Sequence, residues 1–304
     1  MKKRFFAALI AAMVLTAAAF AAKKTKIPSY LGTVTNEDGV CVFARIKTRV
    51  FLDFVIPDGI TAIASEGFSN CTDLVSVVIP DGVTYIGDDA FNGCTSLKSV
   101  TIPEGVTEIG YSAFKGCTSL ASVTIPASVR TIYGSSYTGG AFENCTSLKS
   151  VTLAEGVETI GECMFSGCKS LESIEIPESV TEIGGGAFYG TGLKTVTIPK
   201  GVKTISGFGG CKSLESVTLP RGVTTIEKYT FSGCTSLKSV SIPRSVTTIG
   251  EEAFTGCDNL TVQYDGTKVQ WKAIKKDEPI FYNTQVTKIN CSDGEFSKQD
   301  WYKS

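Results

Sequence analysis

Ile102-Pro103-Glu104-Gly105-Val106-Thr107-Glu108-Ile109-Gly110-Tyr111-Ser112-Ala113-Phe114-Lys115-Gly116-Cys117-Thr118-Ser119-Leu120-Ala121-Ser122-Val123-Thr124 is one of nine copies of a single phrase in this chain of 304 residues. The position of Pro103 recurs at 57, 80, 126, 154, 177, 199, 220 and 243, with Ala154 as the one replacement, so the steps run 23, 23, 23, 28, 23, 22, 21 and 23 residues. A nearly fixed period of this length predicts a solenoid in which each copy forms one coil.

Four columns hold apolar identity through all nine copies. They are represented by Val106, Ile109, Phe114 and Leu120, and the Ile and Phe columns have no exceptions. Each column predicts a ladder of like side chains inside the coil. After the Leu, copies continue apolar-polar-apolar, as in Val100-Thr101-Ile102 and Val217-Thr218-Leu219. That period of two with β-branched residues predicts a short strand, pairing in parallel with the next coil at about 4.8 Å. The residue before the Cys column is always Gly or Asn, from Asn70 and Gly93 to Gly256. Those residues adopt positive φ at least cost, which predicts a left-handed stop to a short helical turn around Ala-Phe. One copy buries too little to offset the entropy of ordering it, so neighbours must supply the difference and exposed ends need caps.

The unit Leu-x-x-Val-x-Ile-Pro-x-x-Val-x-x-Ile-Gly-x-x-Ala-Phe-x-x-Cys, here Leu97 to Cys117, resembles the BspA-like leucine-rich repeat, also called the Treponema-type repeat. The resemblance covers about 57 to 260 and implies a right-handed leucine-rich coil with short parallel strands and short helical turns. It also implies an exported, surface-located bacterial protein, some relatives being adhesins for host matrix or plasma proteins. The departures are Ala154 for Pro, Thr191 for Cys, an insertion in the fourth copy and shortening around Thr191 to Gly210. The expected organisation is a signal peptide over 1–21, an N-terminal segment and cap over 22–56, the array over 57–263 and a capping segment over 264–304.

The signal peptide rests on Lys2, Lys3 and Arg4, the apolar run Phe5 to Phe20 and the small-residue site Ala19-Phe20-Ala21. Export to the cell surface or medium follows, with no membrane insertion after cleavage. Net charge is −1, from 29 basic and 30 acidic residues spread evenly, which gives nucleic acid and anionic lipid nothing to bind. Histidine is absent, removing the commonest general base and metal ligand. Glu172 and Glu175 could be drawn as an acid–base pair, but nothing marks a pocket around them. No enzyme, cofactor or metal is expected.

Of the 11 cysteines, Cys71, Cys94, Cys117, Cys145, Cys168, Cys211, Cys234 and Cys257 share one phase. That column runs with the core columns, so its expected state is buried free thiol packed as a small hydrophobe. Zinc is disfavoured, since no Cys-x-x-Cys pair occurs.

In leucine-rich repeats the strand residues between the buried ones line the concave face. Here the resemblance places Ser99, Thr101, Ser122, Thr124, Ser150, Thr152, Glu175, Thr197 and Thr218 on it. Such a hydroxyl-rich face suits two readings: residues that simply fit an exposed strand, or a polar platform for an extracellular protein or glycan. Lys98, Lys149, Lys194 and Lys238 run beside it, interrupted by Glu172 and Glu215, as in a solvated edge. The insertion Tyr133-Gly134-Ser135-Ser136-Tyr137-Thr138-Gly139-Gly140 carries Tyr133 and Tyr137 on a Gly/Ser loop. It is either a binding loop or a harmless insertion. Gly184-Gly185-Gly186 lacks the flanking strand and helix of a nucleotide loop. The leading expectation is an adhesion-type binding module; the alternative is a structural or spacer envelope protein without a ligand of its own.

Overall fold

The computed structural model describes residues 33–35, 41–43, 53–277, 279–281 and 288–296. The expected signal peptide, most of 22–56, and residues 278, 282–287 and 297–304 of the expected capping segment lie outside the described residues. Each copy of the phrase makes one coil, and the coils stack through two sets of parallel strands. The longer strands follow the Leu column. Asp53–Val55, Ser76–Val78, Ser99–Thr101, Ser122–Ile125 and Ser150–Leu153 form one five-stranded sheet. A second sheet takes Thr195–Thr197, Ser216–Thr218, Ser239–Ile242, Thr261–Tyr264 and Lys288–Cys291, with Gly294–Phe296 antiparallel at its edge. Like sits beside like: Ser122 faces Ser150, Val123 faces Val151 and Thr124 faces Thr152.

The second set consists of two-residue strands ending in the Ile column. Ala62–Ile63, Tyr85–Ile86, Glu108–Ile109 and Thr131–Ile132 pair in order, continuing N-terminally to Cys41–Phe43 and the antiparallel Thr33–Thr35. Thr159–Ile160 pairs with Glu182–Ile183 alone, and Thr204–Ile205 begins a third run through Thr225–Ile226, Thr248–Ile249 and Lys275–Lys276.

Between the two sets lies a single core. The nine phenylalanines from Phe68 to Phe254 are fully buried. Their rings stack nearly parallel at 4.8 Å for Phe68–Phe91, 5.1 Å for Phe91–Phe114 and 5.8 Å for Phe142–Phe165. Separations beyond a strand spacing of about 4.8 Å correspond to offset stacking, the favoured geometry for aromatic pairs. Phe281 continues the stack on Phe254 at 5.6 Å. Helix α1, Lys268–Ala273, is held by a Thr267–Gln270 capping box and buries Trp271 against Tyr264. Trp271 is therefore closed to the sugar-stacking role its residue type could have had.

The segment around Ala-Phe is a chain of tight turns whose N–H groups alternate in direction. Ser69 and Cys71 donate back three residues to Glu66 and Phe68, whereas Phe68 and Asn70 donate to Ala90 and Asn92 of the next coil. The turn therefore adds a third ladder along the stack. The Gly/Asn position has positive φ, at 72° in Gly93, 70° in Gly116, 58° in Asn70 and 59° in Asn144. Its left-handed geometry is the one read from the sequence.

The Cys column is packed in the core as free thiols, with Cys94, Cys117, Cys145, Cys168, Cys211, Cys234 and Cys257 buried and Cys71 half-buried. Each buried thiol donates to the Phe carbonyl of the preceding coil, as from Cys94 to Phe68 at 3.0 Å and from Cys257 to Phe231 at 3.1 Å. A small residue with a weak donor fits both the space and the carbonyl. Burial pushes the Cys168 and Cys257 thiols up to about 12, which keeps them protonated. Where Thr191 interrupts the column, its hydroxyl lies 3.3 Å from Cys211 Sγ.

Candidate functional site

The structure divides the sequence-derived candidates between two surfaces. Ser99, Thr101, Ser122, Thr124, Ser150, Thr152, Thr197 and Thr218 all lie exposed on the outer side of the longer strands, alternating with buried Val. Glu175 is exposed too, but in a coil that interrupts this sheet, between the strands Ser150–Leu153 and Thr195–Thr197. Along the edge, Lys194 pairs with Glu172 at 2.6 Å and Lys238 with Glu215 at 4.0 Å. The Lys194 ammonium holds Glu172 below the usual carboxylate range by hydrogen bonding and by charge. Glu172 is thus held ionised in an exposed pair with Lys194.

Tyr133 and Tyr137 belong to the other side, where the short strands run. The insertion is a hairpin in which Gly134–Ser135 pairs antiparallel with Gly139–Gly140. Its conformation is fixed from both neighbouring coils. Ser112, itself buried, donates to the Thr138 carbonyl at 2.7 Å, and Glu162 accepts from the Ser136 N–H at 3.0 Å. The backbone also presses on the following coil: a Cβ at Gly134 would run into the Glu162 carbonyl, and one at Gly140 into the Cys163 carbonyl. Tyr137 stands at the tip, 97 % exposed. Tyr133 remains at the base, its ring 5.2 Å from that of Tyr111 and its hydroxyl 3.5 Å from Glu108. The Glu108 charge, then burial, raise the Tyr133 pKa above its ordinary value.

The hairpin opens the short-strand ladder. In regular coils the residue after the Ile column donates to the Ile carbonyl one coil earlier: Gly87 to Ile63 at 2.9 Å, Gly110 to Ile86 and Tyr133 to Ile109 at 2.8 Å. Among the described residues the equivalent bond from Gly161 to Ile132 is not made, and at Ile183 the carbonyl accepts instead from the Ser206 hydroxyl at 2.6 Å. Between these two irregularities lies a groove of about 680 Å³. It is lined from four successive coils, by Tyr133 and Gly134, by Gly161 and Glu162, by Glu182, Gly184 and Gly185, and by Thr204 and Ser206. The sequence marked this place only indirectly, through the 28-residue step, the shortened copies after it and the triple glycine.

The geometry defines a leucine-rich-repeat solenoid. The family described as the BspA type leucine rich repeat region matches in six copies over 43–140, 138–261 and 205–299, and the chain belongs to this family. Among solved structures, a leucine-rich repeat protein from Bacteroides ovatus ATCC 8483 is 26 % identical, with 84 % of this chain and 83 % of that chain covered and a TM-score of 0.47. A leucine rich cell surface protein from Faecalibacterium prausnitzii A2-165 is also 26 % identical, covering 81 % and 96 %, with a TM-score of 0.36. The pneumococcal vaccine antigen PcpA is 17 % identical over 84 % and 86 %, with a TM-score of 0.52, a likeness of fold. No curated protein sequence matches the chain.

Proposed function

We propose that this chain is an exported bacterial surface protein of adhesion type, which binds an extracellular protein or glycan across its solenoid surface. The observation that carries this reading is the outer face of the two longer-strand sheets, where exposed Ser and Thr stand in register from coil to coil on either side of the coil that carries Glu175. A repeated array of this kind offers many weak, equivalent contacts to an extended partner, which suits adhesion better than chemistry on a small substrate. The order of basic, apolar and small residues over 1–21 supports export. Membership of the BspA-type family supports a binding role, and the Faecalibacterium protein named as a cell surface protein supports the location.

The test is a binding array of extracellular matrix proteins, plasma proteins and glycans, probed with the wild-type chain and with a Thr101→Lys/Thr124→Lys/Thr152→Lys variant. Specific capture that the variant loses is the expected result. Capture of nothing would favour the spacer reading, in which the hydroxyl columns serve strand stacking alone.

A further inference from the structure

We propose that the groove between the hairpin and the shortened coils is a second binding site, on the short-strand side, and that its ligand is a neutral oligosaccharide. The proposal deepens the adhesion-type reading by assigning a ligand class and a place. It uses none of the hydroxyl columns on the longer strands.

Three observations carry it. The first is that the groove is built. The hairpin edge is locked to the coil before it through Ser112 and to the coil after it through Glu162. Two of the floor glycines are obligatory: a Cβ on Gly161 would lie 2.7 Å from the Ile132 carbonyl, and one on Gly184 2.6 Å from the Glu162 nitrogen. Gly185 differs, since a Cβ there would meet nothing within 4 Å, so its bare backbone leaves open space that packing does not require.

The second is the chemistry of the lining. Thr159, Thr181 and Ser206 supply hydroxyls, and Glu162 and Glu182 carboxylates, while the Lys203 ammonium is turned to Gly222 of the next coil and the Ile column is buried beneath. Hydroxyls and carboxylates complement a ligand covered in hydroxyls, each of which both donates and accepts. The centre of a stable protein–protein interface would instead be apolar and depleted of charge. An acidic polysaccharide would meet the Glu162 and Glu182 carboxylates.

The third is the aromatic wall at one end. Tyr133 lines the groove and tilts against Tyr111 behind it. Both tyrosines are half-buried, each with an apolar body and a polar tip. The lining is drawn from the successive coils that carry Tyr133, Glu162, Glu182 and Ser206, so an extended ligand would meet one coil after another.

The experiment is calorimetric titration of the full chain with neutral tetrasaccharides of glucose, mannose, galactose and N-acetylglucosamine, alongside sialylated and sulfated controls. Three variants accompany it: Gly185→Trp, placed where a Cβ meets nothing within 4 Å, the exposed Glu182→Gln, and the triple Thr→Lys variant of the longer strands. Circular dichroism checks that each stays folded. The expected result is binding of at least one neutral tetrasaccharide, weakened at least tenfold by Gly185→Trp, weakened severalfold by Glu182→Gln and unchanged by the triple variant. Binding of no neutral sugar, binding of acidic sugars alone, or sugar binding that Gly185→Trp leaves intact would each overturn the groove site. Loss of sugar binding only in the triple variant would also overturn it, while leaving the adhesion-type reading in place.

Discussion

Coils 57–126 and the middle of the molecule, 132–206, are made from the same phrase, yet only the first is a closed stack. In the first, the Phe rings sit 4.8 and 5.1 Å apart and the Ile63, Ile86 and Ile109 carbonyls each accept the N–H of the next coil. In the second, Phe142–Phe165 and Phe165–Phe188 open to 5.8 Å, both strand ladders are interrupted and a groove appears. The core columns continue through both regions, with Phe165 and Phe188 as fully buried as Phe91. The hydrogen-bonded ladders are thus broken in the middle without emptying the apolar interior, and ring spacing does not follow the break, since Phe114–Phe142 across the insertion is 5.1 Å and Phe208–Phe231 in paired coils is 5.8 Å. Apolar packing tolerates a shift of a fraction of an ångström that a ladder of N–H···O bonds does not.

The largest expected effect is in alkali. Cys168 and Cys257 titrate at about 12 in the folded chain, against about 8.5 in an unfolded one. A pKa raised by folding stabilises fully below the unfolded value, and that contribution disappears as pH rises from about 8.5 towards 12. The loss is roughly 1.4 kcal/mol per pH unit for each such thiol. Under reducing conditions the urea midpoint should fall steeply between pH 8 and pH 10.5. A midpoint that stays level would mean the column is not made of buried thiols.

Next is the phenylalanine ladder itself. Phe91→Ala should cost about 3–5 kcal/mol in urea denaturation, the usual range for emptying a buried aromatic site. Phe165→Ala should fall at or below the lower end, because its neighbours are already further apart. Equal costs would show that the middle coils are packed as tightly as the first.

Glycines sharpen the contrast at single positions. Gly87→Ala drives a Cβ to 2.5 Å from the Ser65 nitrogen, whereas at Gly185 the same Cβ meets nothing within 4 Å. The first should destabilise by about 1–3 kcal/mol and the second by less than about 0.5 kcal/mol, read from thermal midpoints. The smallest effect concerns the hairpin. Deleting residues 134–138 restores the 23-residue step, so the Gly161 N–H should regain the Ile132 carbonyl and its hydrogen exchange should slow. Unchanged exchange at Gly161 would place the cause of the break elsewhere, at the shortened coils.

Much of this was open to inspection in the sequence because the fold repeats a local pattern. The positive φ at Asn70 and Gly93, the strand at Val100-Thr101-Ile102 and the burial of the Cys column each follow from one copy compared with the next. Tyr133 and Tyr137 were singled out as members of the insertion, but not the partners that hold it. Ser112 looked like an ordinary turn residue, and it anchors Thr138 from 26 positions away. Gly184-Gly185-Gly186 gave no positive signal, only the absence of a nucleotide-loop context. Its first two glycines line the groove, Gly184 with the close coil-to-coil approach also made by Gly87 and Gly250, and Gly185 with open space before it.

The sequence by itself determined the coil, its period and the inward and outward columns. Stacking identical units turns a residue's local preference into a column that runs the length of the array. Only the tertiary structure decided where the stack opens, that the candidate residues fall on two surfaces, and that a polar groove lies between the hairpin and Ser206. Those outcomes depend on which N–H meets which carbonyl across coils some 23 residues apart, and a one-dimensional pattern carries no record of that choice.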